Sequence, residues 1–82
     1  MPAPFPPNVK RLARAVDPTS IEIVEFHEDY GSYAVYTYTQ YNEPGKQQRT
    51  TEALPQGVFS RDEATKLWEA RCRTGFIPVT GL

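Results

Sequence analysis

The sequence predicts an α+β domain: a three-stranded antiparallel β-meander packed against a C-terminal α-helix, with a short N-terminal helix ahead of the sheet. Three observations predict it. All five tyrosines lie between residues 30 and 41, interleaved with Val and Thr, residue types that suit a pleated, half-buried strand. Ser60 is followed at the third residue by Glu63 and then by apolar residues at helical spacing, the pattern of a capped helix. A chain of 82 residues has room for one domain and not two. That domain is assigned to residues 8–82, behind a proline-rich arm over residues 1–7.

Four of the eight prolines fall in the first seven residues. Proline fixes φ and restricts the residue before it, so this arm is expected to be extended and polyproline-like. It either hangs free or lies on a partner or sister subunit, with Phe5 as its one anchor. Asn8 is a suitable N-cap, and Val9, Leu12, Ala13 and Val16 then fall on one helical face, with Lys10, Arg11 and Arg14 opposite. A helix over residues 9–16 follows, stopped by Asp17-Pro18. Two turns do not stand alone. This helix is expected to dock on the sheet, in a partner's groove, or with its basic face against phosphates.

Residues 21–28 form a first strand, in which Ile21 and Ile23 point one way and Val24 and Phe26 the other. Either both faces are partly covered or a bulge switches the face. Residues 28–31 supply a turn, with Gly31 available for positive φ. The central strand covers residues 32–41: Ala34, Tyr36 and Tyr38 share one face, and Tyr33, Val35, Thr37, Thr39 and Tyr41 share the other. Pro44-Gly45 centres the next turn. Residues 47–54 make a third, more polar strand that suits a sheet edge, and Pro55-Gln-Gly57 breaks it. The helix over residues 60–74 places Ala64, Leu67, Trp68 and Cys72 on one face, with Gly75 at its left-handed exit and Phe76 beyond. Trp68 is expected to anchor the helix on the sheet. Residues 77–79 have the make-up of a short edge strand, where proline is tolerated.

Net charge is −1, but the first sixteen residues carry three cations and no acid, while residues 17–43 carry six acids and no Lys or Arg. The two ends of this gradient either attract one another or meet different partners. The balance argues against a duplex-DNA binder, which is normally strongly basic. The one cysteine cannot form an internal disulfide, and a small secreted domain normally carries several. No apolar run approaches a membrane span. A cytoplasmic location away from membranes is expected.

No catalytic constellation is expected, and no metal or cofactor. His27 is the sole histidine, and Cys72 on the apolar helix face reads as a small core residue more readily than as a nucleophile paired with His27. The three acids Glu22, Glu25 and Glu28 do not share one strand face, and are read as solvated or paired with the basic N-terminal segment. What remains is surface. Tyrosine offers a large contact at low entropy cost. The expected function is therefore a non-catalytic protein-interaction module, an accessory subunit or small regulator. It would bind a protein partner or a second copy through Phe5, Tyr33, Tyr36, Tyr38 and Tyr41. The alternative is single-stranded nucleic acid stacked on the tyrosines beside Lys46, Arg49, Arg71 and Arg73.

The Phe59-Ser60 lead-in, the Glu63-Ala64 helix start and the Gly75-Phe76 exit resemble the closing half of a WGR domain over residues 58–77. The Trp-Gly-Arg signature of that family is missing, so its nucleic-acid contacts are carried over to no residue here. The resemblance implies a sheet followed by a packed helix. Residues 63–68, Glu-Ala-Thr-Lys-Leu-Trp, with the same exit, are also similar to the ends of short cyanobacterial and cyanophage proteins. That implies a small accessory protein.

Overall fold

The structure, a computed structural model, describes residues 9–79. Its strands are β1 (Val9–Asp17), β2 (Ser20–Asp29), β3 (Ser32–Tyr41), β4 (Arg49–Thr50), β5 (Leu54–Ser60) and β6 (Ile77–Val79). One helix, α1 (Arg61–Arg73), joins β5 to β6. All strands belong to one antiparallel sheet in the order β4-β3-β2-β1-β6, and β5 pairs with β3 on the flank that β4 also uses.

This overturns two expectations. Residues 9–17 are a strand, not a helix, and the sheet has six strands, not three. The spacing of Val9, Leu12, Ala13 and Val16 fits a helix and shows no clean alternation, but pairing with β2 overrides it. In β1, Leu12 faces one side between Lys10 and Arg14, while Arg11 and Ala13 face the other. Register with β2 then sets Arg11 opposite Glu25, Arg14 opposite Glu22 and Leu12 opposite Val24. Both guanidiniums reach their partners, at 2.8 Å and 3.0 Å. A two-turn helix offers nothing comparable, because its few hydrogen bonds barely offset the cost of nucleation. The charge gradient is thus a cross-strand ladder. A bulge does occur, but in β1 at Val16 and not in β2. Instead, β2 has buried side chains on both faces: Val24 and Phe26 under the helix, and Ile23 among its neighbours on the other.

The third strand is also displaced. Only Arg49–Thr50 pairs beside Tyr41, and the stretch expected to break the sheet forms β5. The break signals are real but act locally. Gly57 has φ +134°, which L-residues rarely adopt, and sits where the register with β3 shifts by one residue. It makes a bulge instead of an end. Pro55 is accommodated because β5 is an edge strand, as is Pro78 in β6.

The helix agrees closely with expectation. The Ser60 hydroxyl accepts from the Glu63 amide, and the Glu63 carboxylate accepts from the Ser60 amide. At the far end Gly75, at φ +98°, lets its own amide donate to Cys72 and the Phe76 amide donate to Arg71. Ala64, Leu67 and Trp68 face the sheet, and Trp68 meets Phe26 edge-on with ring centroids 5.2 Å apart. Cys72 is exposed, against expectation. The buried stripe runs on to Arg71, whose guanidinium lies over the Phe76 ring, so the next position turns outward. The core on this side consists of Leu12, Val24, Phe26, Val35, Ala64 and Phe76.

The β2–β3 turn carries a conformational cost. Tyr30 and Gly31 both have positive φ, +49° and +81°, as a two-residue type I′ turn requires. Tyr30 is fully exposed and makes no compensating contact among the described residues. Tyr30→Asn should therefore stabilise the protein by about 0.5–1 kcal/mol, since asparagine tolerates this region better. A thermal melt is expected to rise by a few degrees, and an unchanged or lower midpoint would contradict the strain.

Candidate functional site on the open sheet face

Because α1 packs on the side of Val24 and Phe26, the opposite side of the sheet has no helix or strand over it among the described residues. Strand alternation decides what appears there: Arg11 and Ala13 from β1, Ile23, Glu25 and His27 from β2, and Ala34, Tyr36 and Tyr38 from β3. Val58 of β5 and Ile77 of β6 flank them, both well exposed.

Glu25 is the hub of this face. Arg11 Nε donates to its Oε2 at 2.8 Å, and the Tyr38 hydroxyl donates to the same oxygen at 2.6 Å. His27 Nε2 lies 2.9 Å from Oε1. The Arg11 and Glu25 side chains are only 16 % and 15 % exposed. Here an open face holds a charge pair largely removed from water. Burial pushes the Glu25 carboxyl up, but the bonds from Tyr38, Arg11 and His27 together outweigh it and hold the group below its ordinary value. Burial, reinforced by the bond to Glu25, pushes the Tyr38 phenol up to about 12, so it stays a donor across the ordinary pH range. Tyr36 stands edge-on to His27, with centroids 5.1 Å apart. Ile23, directly across from Ala13 and Tyr38, is buried beneath this polar layer.

The structure divides the expected binding tyrosines. Tyr36 and Tyr38 are on the open face. Tyr33 is on the helix side, packed against the core, and its hydroxyl donates to Glu28 at 2.6 Å. Tyr41 shares that side at the far end of β3, with the Arg49 guanidinium 4.4 Å from its ring centre. Phe5 lies outside the described residues. The four cations of the nucleic-acid reading are not gathered into one groove. Lys46 and Arg49 both bind Glu43, at 3.0 Å and 3.4 Å, Arg73 sits 3.8 Å from Glu69, and Arg71 stacks on Phe76.

Arg11, Glu25 and His27 were not expected at a site. Their signal was present in the alternation of residues 21–28, but it has meaning only once residues 9–17 are a strand. His27 and Cys72 lie on opposite sides of the sheet, so no dyad forms. Among the described residues no group of three or more His, Cys, Asp or Glu is placed to hold a metal ion. Among the same residues no helix is long and apolar enough to cross a membrane.

These features define a small α+β protein with one helix-covered and one open sheet face. No family model, no curated protein and no solved structure matches the chain.

Glu25→Gln tests the hub. Near neutral pH the variant should be less stable by about 1.5–3 kcal/mol, the usual value of a hydrogen bond to a charged group. A lowered folded-state pKa gives stability that is complete above the unfolded value and lost as pH falls through the folded one. The gap between the two proteins should therefore close in acid, where Glu25 is protonated and resembles glutamine. Denaturant unfolding at both pH values measures it, and an equal gap at both would refute the charge-based account.

Proposed function

We propose that the protein is a non-catalytic interaction module that binds a protein partner through the open sheet face around Tyr36 and Tyr38. The observation that carries this reading is the Glu25 hub. It holds Tyr38 and Arg11 in fixed positions on a face that no helix or strand of the described residues covers, and Tyr36 stands against His27 beside them. Aromatic and arginine side chains whose rotamers are already ordered lose little entropy on binding, and these are the residue types that dominate interface energetics. The exposed Val58 and Ile77 extend the same face at both edges. Such a face suits an accessory subunit or small regulator.

Single-stranded nucleic acid is less well supported. Arg11 is the only Lys or Arg among the described strand residues of the open face, and it is bound to Glu25. Stacking of bases normally comes with a basic groove.

Affinity capture from native host extract, compared between the wild type and the Tyr36→Ser/Tyr38→Ser double variant, tests the proposal. The partner held by the wild type should be lost, because interface hot spots each contribute about 2 kcal/mol or more. Tyr33→Ser, on the other side of the sheet, should retain it. Tyr38→Phe separates the ring from its hydroxyl bond to Glu25, and melting curves confirm that each variant is folded. A partner still captured by the double variant would rule out this face.

A further inference from the structure

A groove of about 260 Å³ opens on the helix side between the start of β1 and the first half of α1. Phe26, Tyr33 and Trp68 supply its aromatic walls, Ala64 and Thr65 its helix wall, and Lys10 its rim. The open face proposed above plays no part in it. Aromatic-lined grooves with a polar rim are how folded domains hold polyproline II segments. Proline rings lie flat on aromatic faces, and the extended backbone keeps its polar groups in water.

The same chain contains such a segment. Residues 2–7 read Pro-Ala-Pro-Phe-Pro-Pro and carry no charge. Four prolines restrict the unfolded alternatives, so little further entropy is lost on docking. The segment enters the described structure at Val9, next to Lys10, which already belongs to the groove rim. At about 3.1 Å per residue, residues 2–7 reach roughly 19 Å, several times the rise of the single helical turn between Ala64 and Trp68.

We propose that this groove is a polyproline cradle and that its occupant is the chain's own residues 2–7, with Phe5 against the Trp68 wall. The arm then completes the core of its own molecule and is not the element that reaches a partner.

Trp68 is the only tryptophan, so its fluorescence reports on this groove alone. In the full-length chain, Phe5→Ala should shift Trp68 emission to the red and raise its acrylamide quenching constant, with the far-ultraviolet circular dichroism unchanged. A second variant, Pro4→Ala/Pro6→Ala, keeps Phe5 but loosens the segment, and should move both readings in the same direction. The differences from wild type should not depend on protein concentration. Emission and quenching unchanged in both variants would overturn the proposal. A difference that disappears on dilution would overturn it as well, because the occupant would then be the arm of a second copy.

Discussion

The edge-on contact between Trp68 and Phe26 is the constraint on which the rest of the structure depends. A sheet with one helix has to choose which face to cover, and this contact makes the choice. Ala64, one turn earlier, is small enough to let the helix approach, and Val24, Val35 and Leu12 fill the space beneath. Each large apolar side chain fully buried here contributes about 1.5–3 kcal/mol, a large share of the stability of so small a protein. The helix is held at both ends as well. Ser60 ends β5 opposite Ser32 and caps α1, while Arg14 of β1 donates to the Thr74 carbonyl beyond its last turn. The orientation of α1 is therefore tied to the sheet at two corners, and the identity of the open face follows from it.

Charge works on a second level. The cations of β1 and the acids of β2 meet across the strands on both faces. Arg14 and Glu22, on the helix side, are more than a third exposed and contribute little. Arg11 and Glu25, on the open side, are much less exposed and share their hydrogen bonds with Tyr38 and His27. Removing Glu25 takes one hydrogen-bond partner from each of Arg11, Tyr38 and His27 in a poorly hydrated place, so the set acts as a unit around it. The same arrangement that orders the face also keeps β1 in register.

How much was legible in the sequence depended on whether local signals had competitors. The helix had none: cap, apolar stripe and glycine exit all agreed, and it lies within a residue of its expected bounds. The central strand and its division of tyrosines between two faces were equally plain, because alternation is a strict period. Residues 9–17 carry a helical period and no clean alternation, and the long-range match to β2 overrides that local signal. In Leu54–Ser60 proline and glycine mark a turn locally, whereas an edge strand with a bulge accepts both. Pairing of Glu25 with the basic N-terminal segment is one of the two readings the sequence offers, but the helical period of residues 9–17 hides the cross-strand register that sets Arg11, Tyr38 and His27 around it.

Pro55 and Pro78 have a consequence of their own. They lie in β5 and β6, edge strands at opposite margins of the sheet; β4, which shares the margin of β5, has only two residues. A proline has no amide hydrogen, so neither margin can offer an uninterrupted row of donors to another extended chain. A sheet with one face uncovered by the described residues would otherwise be at risk of pairing laterally into fibrils. With its margins blunted, it can keep one broad surface bare and still resist amyloid-like growth.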